Sequence, residues 1–129
     1  MFLETKIKKT LNSALLLLVV LLFSSLAQAQ SKGRLIVFTT EYCPYCRAFM
    51  TEVGALYGKT EIGRVFPLLE VDNHNPPKEF ESLSWQIRFF PTFVVMDQAN
   101  TELARFRGYR GEEFFWMDME ELVNKVSDR

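Results

Sequence analysis

The sequence predicts one α/β domain on a four-stranded mixed sheet with flanking helices, in the order β-α-β-α-β-β-α. Three observations carry that prediction. Leu35 to Thr39 (Leu-Ile-Val-Phe-Thr) is a run without polar alternation, as a strand buried on both faces requires. Directly after it, Ala48, Phe49, Val53 and Leu56 recur at helical spacing until Gly58, the start of a crossover unit. Near the end, two strand-like runs flank the turn formers Asp97-Gln98-Ala99-Asn100, and a helical stretch closes the chain.

The first third of the 129 residues does not belong to this pattern. Lys6, Lys8 and Lys9 open a basic segment, an apolar run follows from Ala14 to Phe23, and Ala27-Gln28-Ala29 offers a small-x-small site. That order predicts a secretory leader over 1–29 and a mature domain over 30–129, starting at Gln30. The other reading is an uncleaved anchor, the only route by which this chain would touch a membrane. A spanning helix needs about 20 apolar residues, which this run reaches only by including Asn12, Ser13 and the serines after Phe23. Without the leader the chain keeps 12 basic and 15 acidic residues of its 15 and 16. No basic stripe survives, so no nucleic-acid partner is expected. Arg105, Arg107 and Arg110 come nearest, and their spacing reads as the solvated face of a strand.

Along the domain, Cys43-Pro44 reads as a helix start, because proline at the first helical position loses no hydrogen bond. A second strand is predicted from about Val65 to Val71. The segment Asp72 to Pro77 is dense in turn formers and reads as a loop with an exposed His74. Lys78 to about Ile87 reads as a helix with Phe80, Leu83 and Ile87 on one side. Thr92–Met96 and Glu102–Phe106 form the hairpin, Gly108 and Gly111 bracket a turn, and a helix runs from Glu112 to Val126. Its acidic first turn suits the positive end of the helix dipole. Phe114, Phe115 and Trp116 read as packing aromatics.

Both cysteines lie in the predicted mature domain, in Cys43-Pro44-Tyr45-Cys46. A structural staple is a weak explanation, because cross-linking stabilises little across so short a loop. Zinc needs four ligands, and His74 is the only histidine; no metal or other cofactor is expected. Haem attachment needs a histidine where Arg47 stands. Redox chemistry remains. Residues three apart meet across the first helical turn, and a cysteine at the N-cap, expected to be exposed, faces unpaired N–H groups that favour its thiolate. Cys43 is therefore the candidate nucleophile and Cys46 the more buried resolving thiol. Arg47 adds positive charge on the same face, and Glu41 works against it.

Strand order, Cys-x-x-Cys and Phe90-Pro91-Thr92 at a strand entrance resemble the thioredoxin superfamily from Leu35 to Val126. The resemblance implies a cis Phe90–Pro91 bond beside the cysteines, with Pro91 shaping a substrate groove and Phe90 presenting backbone to a partner. Tyr42, Pro44 and Tyr45 complete the expected substrate-facing set. Pro44-Tyr45 is similar to the glutaredoxin dipeptide, although Arg107 to Gly111 lacks the glutathione-binding turn. Thioredoxins carry a buried aspartate where this chain has Val37, and a second-strand lysine where it has Leu68 and Leu69. Proton handling at Cys46 is therefore expected to run through water or Glu41. The tail, with Pro91 to Val95 and Gly108 to Trp116, resembles the periplasmic thioredoxin-like proteins of bacterial sulfur-oxidation systems.

That resemblance implies a periplasmic reductase acting on a protein disulfide, with a sulfur-carrier protein as candidate substrate and a membrane electron-transfer donor. The alternatives are an exported dithiol oxidase or isomerase, and a non-catalytic binding module presenting Trp85, Phe89, Phe90 and Trp116.

Overall fold

The computed structural model describes residues 1–23 and 30–127. Phe2–Phe23 forms helix α1, and among the described residues no helix is long and apolar enough to cross a membrane. The predicted site Ala27-Gln28-Ala29 lies outside the described residues.

The unalternating run becomes β1 (Gly33–Thr39), buried from Leu35 onward and central in a sheet of order β2-β1-β3-β4. It pairs parallel to β2 (Leu68–Asp72) and antiparallel to β3 (Thr92–Asp97), which pairs antiparallel with β4 (Glu102–Arg107). Because side chains alternate across a strand, β1 and β3 feed two cores at once. Leu35, Val37, Phe93 and Val95 join one core, while Ile36, Phe38, Val94 and Met96 join the other. The mixed α/β architecture is the one the sequence predicts.

The first core is closed by α2 (Pro44–Phe49), which continues through a π-helical turn, Met50–Gly54, into the short α3 (Ala55–Tyr57). The sequence periodicity suggested one uninterrupted helix here. Instead the backbone widens by a residue where Glu52 accepts a hydrogen bond from the Tyr109 hydroxyl. Burial, together with that carboxylate, holds Tyr109 above the ordinary phenol range.

Helix α4 (Glu61–Val65) corrects the predicted start of the second strand: Val65 ends a helix, and pairing begins at Leu68. Thr60 caps α4 by accepting the Gly63 N–H at 3.0 Å. Gly63 is required there, since a Cβ would lie 1.9 Å from the Tyr57 carbonyl oxygen.

The second core is covered by a 3₁₀ turn, Lys78–Phe80, and α5 (Glu81–Ser84). This is shorter than the helix expected to Ile87, but it buries the anticipated Phe80, Leu83 and Ile87. A turn at Gly108, with φ +80°, leads into α6 (Glu112–Ser127). Phe115 is buried and Trp116 stacks on Tyr57 at 5.8 Å, while Phe114 stays 43% exposed. Of the arginines in β4 and its turn, Arg107 and Arg110 are exposed, as the solvated-face reading has them, and Arg105 is half-buried. Arg105 pairs with Glu102, Arg107 lies over the Phe89 ring at 5.5 Å, and Arg110 lies 3.5 Å from Asp118.

Phe49 joins α2 to the sheet and to α6, with ring centroids 4.7 Å from Phe93 and 5.0 Å from Phe115. Truncating a buried phenylalanine costs about 3–5 kcal/mol. Phe49→Ala is therefore predicted to lower the urea midpoint sharply, whereas Phe114→Ala costs under about 1 kcal/mol. Comparable losses in the two variants would contradict this account of how α2 is held.

Candidate active site

The site forms at the end of the sheet where β1 finishes. After Thr39 the chain turns through Thr40 to Tyr42, closed by the Cys43 N–H donating to the Thr40 carbonyl at 3.3 Å. Cys43 is the N-cap of α2, extended at φ −98° and ψ 102°, with Pro44 starting the helix. Its carbonyl accepts the Arg47 N–H at 3.2 Å, and its Sγ accepts the Cys46 N–H at 3.1 Å. The side chain thus takes the place that a serine or aspartate oxygen occupies in an ordinary cap.

Cys43 and Cys46 are joined by a disulfide, with Cα atoms 5.2 Å apart. One expectation needs correcting. Cys43 is 7% exposed, hardly more open than Cys46 at 3%. Its sulfur turns back over the first helical turn to reach both Cys46 and its N–H, and this withdraws it from solvent. The exposed groups are its neighbours Tyr42 (85%) and Tyr45 (62%), together with Pro44.

The Phe90–Pro91 bond is cis, the isomer the resemblance implied. Thr92 pairs with Phe38, so Pro91 enters the sheet at the end where β1 delivers the cysteines. Pro91 is buried and Phe90 half-buried. The Pro91 carbonyl accepts the Gly108 N–H at 2.7 Å, and the Thr92 hydroxyl donates to the Phe89 carbonyl at 2.6 Å. These bonds anchor the segment that carries all the sequence-predicted site residues outside the Cys-x-x-Cys neighbourhood.

Behind Cys46 lies a solvent-open recess of about 440 Å³, bordered by β2, the β1–α2 turn and α2. Glu70 faces it and accepts a hydrogen bond from the buried Thr39 hydroxyl at 3.0 Å. Glu70 was not among the sequence candidates. The available signal was the alternation of Leu68, Glu70 and Asp72 along one face of β2.

A disulfide closed within the first turn of a helix, at the open end of a mixed sheet, defines a thiol–disulfide exchange protein. The family model for the thioredoxin-like domain matches residues 24–122, and the chain belongs to that family. With its Cys-x-x-Cys pair it is a thiol–disulfide oxidoreductase.

Among solved structures it is similar to the periplasmic thioredoxin SoxS from Paracoccus pantotrophus in its reduced form. That match has 30% identity over 72% of this chain and 97% of the other, with a TM-score of 0.63. A thioredoxin from Thermus thermophilus matches at 25% identity and TM-score 0.56, covering 77% of this chain and 79% of its own. A Fasciola hepatica thioredoxin matches at 32% identity and TM-score 0.51, covering 70% and 82%. No curated protein matches the sequence.

The cap geometry generates a labelling prediction. After mild reduction, the Cys46 N–H directed at Cys43 Sγ favours the thiolate there. Cys43 should alkylate near neutral pH at least about tenfold faster than Cys46. Peptide mapping after brief iodoacetamide treatment reads this, and equal labelling of both cysteines would count against it.

Proposed function

We propose that the chain is an exported reductase of protein disulfides, with Cys43 as nucleophile and Cys46 as resolving thiol. The observation that carries this reading is the Cys46 N–H donated to Cys43 Sγ at the helix cap. It gives one sulfur of the pair a partner for negative charge and leaves the other, one turn along the helix, without that donor. The Cys43 thiolate attacks a partner disulfide, forms a mixed disulfide and releases the partner's second sulfur. Cys46 then attacks Cys43 Sγ, the partner leaves as a dithiol, and Cys43–Cys46 closes. Exposed Tyr42 and Tyr45, with Pro44, flank the point of attack. Phe90 and Pro91 supply the neighbouring edge against which an extended partner segment would lie.

Two features favour an envelope location, while the tail resemblance favours the reducing direction. One is the basic, apolar and small-x-small order of residues 1–29, which favours export as a mature domain over 30–129. The other is the likeness to a periplasmic thioredoxin over nearly that protein's whole length. A cysteine-bearing carrier of a sulfur-oxidation system is the substrate favoured by the tail resemblance. Each turnover removes two electrons from the pair, so outside the cytoplasm a membrane electron-transfer donor must restore them.

Trapping tests roles and direction together. Cys46→Ser is expected to accumulate covalent adducts with envelope proteins, and Cys43→Ser to accumulate few. Acid-quenched, alkylated cells should hold the wild-type pair mainly as dithiol. A steadily oxidised pair in growing cells would make the protein an oxidase instead.

The leader reading has its own test, the N-terminal sequence of protein from the cell envelope. Gln30 is the expected first residue, and an intact Met1 in the membrane fraction would overturn cleavage.

A further inference from the structure

Resolution of the mixed disulfide needs Cys46 as a thiolate, and its surroundings oppose that. Cys46 is 3% exposed, and burial disfavours the charged form of a thiol. Its own N–H is already given to Cys43 Sγ. The proton must therefore have an acceptor at the moment of attack. Cys46 borders the recess of about 440 Å³, far larger than the roughly 10–15 Å³ that one water requires.

Four charged side chains face that recess: Glu41 from the β1–α2 turn, Arg47 from α2, and Glu70 and Asp72 from β2. The carboxylates differ in what holds them. Asp72 Oδ1 is occupied by the His74 N–H at 3.0 Å, with the imidazole Nδ1 at 3.8 Å. Glu41 is exposed in the turn, and among the described residues no hydrogen bond fixes it. Glu70 alone is oriented from within the sheet, by the hydroxyl of Thr39, which is 6% exposed on the central strand.

We propose that Glu70, positioned by Thr39, accepts the Cys46 proton through water in this recess. The proposal rests on the reading of Cys43 as the entry sulfur. The Cys46 S–H bond breaks and its proton passes by way of water to Glu70. The Cys43–Cys46 bond forms as the Cys43–partner bond breaks, and the electron pair leaves on the partner's sulfur, which solvent protonates. Glu70 then returns its proton to solvent through the open mouth of the recess.

The test uses the reduced full-length chain with 5,5′-dithiobis(2-nitrobenzoate) in stopped flow, where each sulfur exchange releases one coloured thiol. The first phase depends on reagent concentration and reports Cys43; the second is unimolecular and reports Cys46. With a base in place, the wild-type second phase should be nearly flat between about pH 6 and 8. Glu70→Gln keeps an acceptor for the Thr39 hydroxyl, so the fold and the first phase should persist. Its second phase should slow about tenfold near pH 6.5 and climb up to about tenfold per pH unit as the thiol ionises unaided. Thr39→Val should slow it less and with a weaker slope. A Glu70→Gln second phase that follows wild type, or is slowed equally at every pH, would overturn the proposal. So would the pH slope appearing in Glu41→Gln or Asp72→Asn instead. If the first phase survives Cys43→Ser and vanishes in Cys46→Ser, the entry-sulfur assignment fails, and this proposal with it.

Discussion

Phe49 is the contact through which the active-site helix is referred to the rest of the fold. It is fully buried, ends α2 three residues after Cys46, and meets Phe93 of the sheet, Phe115 of α6 and Tyr109 of the turn between β4 and α6. Aromatic edges and faces at these separations resist sliding, because displacement exchanges favourable quadrupole contacts for voids. Tyr109 adds a polar tie one turn further along, through Glu52. The helix that presents two sulfurs is thus held from three elements at once. The local geometry at Cys43 depends on a core that contains neither cysteine.

Strand direction explains why the remaining pieces converge on that helix start. A parallel β1–β2 pair needs a crossover, and α2 through α4 supply it, so β1 must hand its chain directly to the cysteines. The antiparallel β1–β3 pair then brings the beginning of β3 to the end of β1, with Thr92 beside Phe38. Pro91 and the cysteine pair, nearly fifty residues apart in sequence, share one end of the sheet by topology alone. The same parallel register puts Glu70 and Asp72 at that end too, opposite Val37 and Thr39. Both carboxylates are exposed because β2 is an edge strand, less covered than β1 and β3.

Much of this was legible in the chain, because the strongest signals are those of burial period. Leu35–Phe38 reads as a strand covered on both faces, and Cys43-Pro44 reads as a helix start. The rest depends on contacts between residues far apart in sequence. The π turn at Met50–Gly54 accompanies a bond to Tyr109, which no local pattern encodes. Helix α4 is five residues long, too short for periodicity to register, and its signal was the Thr60 cap with Glu61 in the first turn. The burial of Cys43 follows from the direction its sulfur takes, which a cysteine's position at the cap leaves open. The Thr39–Glu70 pair needs the parallel register before either residue is of interest.

Val37 shows how polarity is distributed around this site. It is fully buried in the core beneath α2, together with Leu35, Val53 and Phe49, where the resembled family carries an acid. A carboxyl group at that depth costs several kcal/mol to ionise, roughly, unless it is paired. It would also tie the stability of the sheet to its protonation, since a group titrating differently in folded and unfolded chains makes stability depend on pH. The apolar side chain removes both penalties. Its register partner across the parallel pair is Glu70, on the exposed edge strand, where water reaches the carboxylate. Among the described residues no buried side-chain polar atom lacks a partner. The proposed proton path from Cys46 thereby runs through the recess at the sheet margin, which α2 itself borders. None of the charged side chains that line it belongs to the core cluster around Phe49.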